Sequence, residues 1–166
     1  MDPRVTTPGE SLAQQFELET RICQGMHQSY QAREQVRNLR AQLKALKERA
    51  GQAGLAEAIA ALDQKAAALE GAAEGFFGGG GAEGAAAESL ARANMELGGL
   101  LRVVDSTDAA PTAAQLAAFD ELEQALRKQL ALWGELKSRD VAAINAQLKQ
   151  ANLPAVSLEP APAPSR

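Results

Sequence analysis

A single cysteine and a single histidine leave this 166-residue chain without the soft ligands of a four-ligand zinc site, and without an intramolecular disulfide. Aromatic residues make up only 4% of the chain, and Val and Ile together number nine. The stock from which a β-sandwich or barrel is built is therefore missing. No apolar run approaches the roughly 18 residues of a membrane span, and the opening MDPRVTTPGE has no signal-peptide core. Basic charge is not in excess either. Seventeen Lys and Arg face 21 Asp and Glu, and the net charge of −4 opposes whole-chain attraction to nucleic acid or anionic lipid. What the chain has in quantity is alanine, 36 residues, and leucine, 21 residues, both strong helix formers. The expectation is an all-α domain.

Thr7-Pro8-Gly9-Glu10 opens the first helix, with Thr7 as N-cap, Pro8 in the first helical position and Glu10 reaching back as the capping-box acid. Leu12, Phe16, Ile22, Met26, Tyr30, Val36, Leu39, Leu43 and Leu46 then recur near every 3.5 residues until the glycines at 51 and 54, which predicts one helix of about 43 residues. In the same stretch Cys23 reads as a small buried thiol. Leu55, Ile59, Leu62, Ala66 and Leu69 form the seam of a second helix that ends at Gly71. Residues 71–84 hold half of the 14 glycines and read as a flexible loop. A third helix carries Leu90, Asn94, Leu97, Leu101 and Val104, with Asn94 fixing register or yielding the core place to Ala93. Thr112 and Gln115 make a capping box for the fourth, whose seam runs from Leu116 through Phe119, Leu126, Trp133 and Leu136 to Ile144 and Leu148. Its phase slips around Ser138 to Asp140, where a kink or a fresh cap at Asp140 is expected. Asn152 closes it in the left-handed conformation.

These assignments divide the chain into a linker at 1–7, a helical bundle at 8–151 and a Pro/Ala-rich tail at 152–166, read as extended and disordered. Two packings fit the short turns. One is an antiparallel up-down-up-down bundle with two long helices (1 and 4) and two shorter ones (2 and 3). The other is a three-rod bundle with helices 2 and 3 end to end. The charges favour the first, because helices 1 and 4 are both acidic early and basic late, so that antiparallel packing brings opposite signs together. In that packing helices 2 and 3 cover one half of the long pair, the other half is a two-helix stalk, and both termini leave at the stalk end.

Chemistry is sparsely signalled. Arg33, Arg37, Arg40, Lys44 and Lys47 are spaced 4-3-4-3 along one face of helix 1, the arrangement of an anion-binding stripe, or of a solvated flank of the seam. Cys23 and His27 are neighbours at i, i+4 but have no third group to orient them and no oxyanion loop, so no catalytic residue is assigned. Neither a metal nor a cofactor is expected. Trp133 reads as a core anchor, and Asp140 and Asn145 as helix punctuation.

Asp2-Pro3-Arg4-Val5, Gln15-Phe16, Val36-Arg37-Asn38-Leu39-Arg40, Leu62-Asp63-Gln64-Lys65, Leu69-Glu70-Gly71 before the glycines, Ala110-Pro111-Thr112 and Trp133 with Ile144-Asn145 form an ordered set. This set resembles the C-terminal helical region of large secreted bacterial proteins with BNR/Asp-box β-propellers, often called sortilin-like or glycosyl-hydrolase-like. The resemblance implies a C-terminal bundle beside a propeller and an extracellular or periplasmic location. No Asp-box is present in this chain, and no glycosidase residue carries over to it. The expected function is thus a non-catalytic structural or interaction module with a protein partner, either the propeller of the same parent or a second copy. The alternatives are binding of nucleic acid or an anionic surface through the basic stripe, and membership of a glycosyl-hydrolase-like enzyme whose catalytic domain lies elsewhere.

Overall fold

The computed structural model describes residues 7–50, 53–71 and 88–158. Most of the expected linker, the body of the Gly-rich loop with Phe76 and Phe77, and the end of the tail lie outside the described residues. The described chain is an all-α up-and-down bundle of two long helices and two shorter ones. Helix α1 spans Gly9–Arg49, α2 Ala53–Glu70, α3 Leu90–Val104 and α4 Ala113–Glu135; a π-helical turn, Leu136–Val141, leads into α5, Ala142–Gln150. The α4–π–α5 run is the single long fourth helix that the periodicity predicts.

The caps follow local chemistry in most places. Thr112 accepts from the Gln115 amide at 3.2 Å while the Gln115 side chain accepts from the Thr112 amide at 2.7 Å, which closes the expected capping box. Ser89 caps α3 through the Arg92 amide. Gly71, at φ +74, ends α2 in the left-handed region, and Asn152, at φ 56, does the same after α5. The start of α1 differs from expectation. Pro8, not Thr7, is the residue before the helix, no side chain caps it, and the Thr7 hydroxyl instead donates to the Asp108 carbonyl at 2.6 Å. A long-range partner has displaced the local one.

Cross-helix pairs fix the directions. Gln15 donates to the Val104 carbonyl and Asn94 to the Met26 carbonyl, so α3 runs antiparallel to the first half of α1. Arg40 pairs with Asp63 and Arg37 with Glu70, so α2 runs antiparallel to the second half. Helices α2 and α3 therefore lie end to end as one descending rod, and a Cβ added at Gly71 would fall 2.2 Å from the Ser89 Oγ where the two ends meet. Arg21 pairs with Glu123 and Gln35 with Trp133, so α4 climbs parallel to α1. Of the two packings open to the sequence the molecule adopts the end-to-end one. The antiparallel pairing of helices 1 and 4 is not found, nor is the stalk with both termini at one end. The reason is energetic: exposed charge pairs contribute about 0.2–1 kcal/mol each, whereas each buried leucine contributes about 2 kcal/mol. A two-helix stalk would leave half of the α1 stripe in water. End-to-end packing buries Leu18 and Ile22 at one end and Leu39 and Leu43 at the other, all at 2% exposure or less.

Some seam assignments move. Phe16, Tyr30 and Leu116 are exposed, Phe16 at 71%; on α1 the buried face keeps a seven-residue repeat, Gln15, Ile22, Ser29, Val36 and Leu43 with Leu18, Ala32, Leu39 and Leu46, and Phe16 and Tyr30 each stand one residue past it. Cys23, expected buried, is exposed because it too stands one residue past a seam position, Ile22. Ala93 takes the core place beside a half-buried Asn94. The phase slip is resolved by the π turn, whose extra residue returns Val141 to the core after Leu136. Asp140 caps nothing and pairs with Lys65 of α2.

The tail, expected to be extended and solvated, is extended but docked as far as it is described. Asn145 grips Val156 by both main-chain groups, accepting from its amide at 2.7 Å and donating to its carbonyl at 3.1 Å. Gln42 of α1 treats Ser157 likewise, at 2.9 and 2.6 Å. Val156 is buried. Asn145 is thus a clamp for the tail and not helix punctuation, a role that no local pattern announces.

Candidate functional site

The basic stripe on α1 is divided by the packing of α2. Glu70, buried at the end of α2, accepts from Arg37 Nε at 2.8 Å and from Arg40 Nη1 at 2.7 Å; Arg40 Nε also pairs with Asp63 at 2.9 Å, and Arg37 with Glu34 at 3.0 Å. Lys44 and Lys47 are exposed along the α1–α2 groove and make no ion pair among the described residues. Arg33 is half-buried, and its Nε is enclosed without a hydrogen-bond partner. Two of the five cations are therefore neutralised, and the stripe's unpaired charge among the described residues is at half-buried Arg33 and exposed Lys44 and Lys47.

The ionisation of this node is shifted away from neutrality. Burial pushes the Glu70 carboxyl up, but the hydrogen bonds and positive charge of Arg37 and Arg40 outweigh it and hold the carboxyl below its ordinary range. Arg37 and Arg40 are raised, in each case chiefly by the Glu70 hydrogen bond. A general acid or base needs a pKa near the working pH. These groups are fixed in their charged forms, which suits a clamp.

Cys23 and His27 both lie on the exposed face of α1, and no described side chain hydrogen-bonds to either. Trp133 is buried as expected, its Nε1 donating to Gln35 at 2.9 Å while Lys137 sits over the ring. Among the described residues no group of three or more His, Cys, Asp or Glu is placed to hold a metal, and no helix is long and apolar enough to cross a membrane.

A concavity of about 630 Å³ lies where α2 ends and α3 begins, facing α4 and the π turn. Ala68, Leu69, Leu132 and Leu136 form its floor. Ion pairs cross it at both ends, Lys65 with Asp140 and Lys128 with Glu88. Into it faces Gln129, only 3% exposed, whose carboxamide makes no hydrogen bond with any described residue. Its polar atoms are not sealed: among the described residues Arg33 Nε is the one enclosed side-chain polar atom without a partner, so the Gln129 carboxamide opens to solvent in the groove. The sequence signal for Gln129 was available: Leu126, Gln129 and Trp133 are spaced 3-4, the step of the seam, but Leu130 next door offers itself for the same place. Glu70 was legible only as part of a motif, and nothing local marks it as the partner of two arginines 30 and 33 residues away.

Compared with models of protein families, with curated proteins and with solved structures, the chain matches none.

Proposed function

We propose that the chain is a non-catalytic structural or interaction module, a stiff helical rod about 60 Å long by the rise of α1 that acts by holding and presenting surface to a protein partner. The observation that carries this reading is the use made of its best-placed ionisable groups. Glu70, Arg37, Arg40 and Asp63 are committed to fastening α2 onto α1, with Glu70 and the arginines held in the charged form. The tail clamps at Asn145 and Gln42 serve the same end. The resemblance of the ordered motifs to those of secreted β-propeller proteins is the ground for proposing a place beside such a propeller, outside the cytoplasm.

The test is turnover of fluorogenic glycoside, ester and phosphate substrates by the full chain and by Glu70→Gln. Neither protein is expected to turn any of them over, and the variant is expected to melt lower. Turnover by the parent chain that Glu70→Gln abolishes while remaining folded would overturn the reading.

A further inference from the structure

We infer that the groove between α2 and the α4–π segment is a binding site for a short, uncharged, extended apolar peptide, one residue of which offers its N–H and C=O together to Gln129. Three observations converge. Gln129 is packed into the groove wall, 3% exposed as a residue, with its carboxamide open to the groove and both its donor and its acceptor unused among the described residues. The same chemistry already operates twice in this fold: Asn145 holds the N–H and C=O of Val156, and Gln42 holds those of Ser157. An extended residue presents these two groups on one edge, and a side-chain carboxamide matches them with one acceptor and one donor. Gln129 is a carboxamide of this kind with no strand on it among the described residues.

The surroundings set the rest of the ligand. Beside Gln129 the floor is aliphatic, and Leu132 remains 45% exposed, so an apolar side chain laid on it removes water from both partners. The rim carries three cations, Lys65, Lys128 and Arg139, and three anions, Glu88, Glu135 and Asp140. Their balance, with a cross-groove ion pair at each end, gives no net attraction to a charged ligand and favours a neutral one. The volume lies within the roughly 300–1,000 Å³ of small-ligand sites, which are mostly apolar with a few placed polar groups. The π turn contributes Leu136, Arg139 and Asp140 to the wall, and such turns recur at functional sites.

The experiment titrates the full isotope-labelled chain with N-acetyl-leucine-N′-methylamide, with its analogue methylated on the leucine nitrogen, and with N-acetyl-glycine-N′-methylamide. The first is expected to move the Gln129 side-chain NH2 resonances and the methyls of Leu69, Leu132 and Leu136 saturably; removal of either the N–H or the side chain weakens it about fivefold or more. Gln129→Leu, which keeps the wall filled, is expected to weaken the leucine probe to the level of its N-methyl analogue. Leu132→Trp, which fills the groove from a half-exposed position, abolishes binding of all three with the melting temperature unchanged. Saturable binding that Gln129→Leu leaves intact, or no movement at Gln129 with the leucine probe, would overturn the inference. So would nuclear Overhauser contacts showing that residues 72–87 or a second copy already fill the groove. None of these outcomes bears on substrate turnover, so this inference and the reading of the rod as non-catalytic fail separately.

Discussion

The two short helices are fastened to α1 by different means. In the half where α3 packs, the polar groups that join it to α1 are neutral: Ser29, fully buried, donates to the Met26 carbonyl at 2.8 Å, and Asn94 Nδ2 donates to the same carbonyl at 2.9 Å and to Ser29 Oγ at 2.7 Å. In the half where α2 packs they are charged, with Glu70 between Arg37 and Arg40 and Asp63 on Arg40. Neutral hydrogen bonds are indifferent to pH and salt, while ion pairs with half-exposed partners depend on both. A single rod is thus built from one half whose attachment is fixed and one whose attachment is adjustable. The joint between them is the contact of Gly71 with Ser89.

The largest test of this contrast removes core from each half in turn. Leu97→Ala and Leu43→Ala, both at sites almost without exposure, are each expected to cost about 2–5 kcal/mol in urea unfolding. If the halves are one cooperative unit, both variants shift a single transition; two separated transitions in either variant would show that the joint does not couple them. The joint itself comes next. Gly71→Ala places a methyl at φ +74 and 2.2 Å from Ser89 Oγ, and is expected to cost about 1–3 kcal/mol while loosening amide exchange protection at the ends of α2 and α3 first. Unchanged stability would mean that the two helix ends move apart at no cost.

The smallest effects separate neutral from charged. Glu70→Gln is expected to cost about 1–2 kcal/mol at pH 7, tempered because Arg37 and Arg40 are partly exposed. The folded-state pKa of Glu70 lies below its ordinary 4.5, so its contribution is present above that value and is lost as pH falls through the folded pKa. Circular-dichroism melts of the parent chain should therefore fall from about pH 5 downward, and Glu70→Gln should flatten that slope. Asn94→Leu, by contrast, should cost about 1 kcal/mol equally at pH 7 and pH 4. A slope unchanged by Glu70→Gln, or an Asn94→Leu cost that varies with pH, would break the distinction between the halves.

Much of this molecule could be read without folding it. The four helical stretches, the box at Thr112 and Gln115, the left-handed Asn152, the stop at Gly71 and the slip near residue 138 all appear where periodicity and capping place them. Each depends on neighbours a few residues away. Positions whose state depends on a distant partner were read less well. Thr7 left its expected cap for Asp108, Asn145 turned out to hold the tail, and Phe16 and Cys23 faced water because the packed helices cover the seam at Gln15, Leu18 and Ile22 and not the residues beside it. Of the basic stripe, the spacing was legible, but the loss of Arg37 and Arg40 to Glu70 and Asp63 was not.

The sequence by itself determined that the chain is helical, where its helices begin and end, and that each has a leucine face needing cover, because propensity, capping and amphipathic period are properties of local chain. Only the tertiary structure decided which helix supplies that cover, that α2 and α3 descend in line so that α4 rises parallel to α1, and that Gln129 faces a groove without a hydrogen bond to any described residue. A leucine stripe states how much surface must leave water but not which stripe it will meet, and that choice is made by the total area buried over the whole length of the rod.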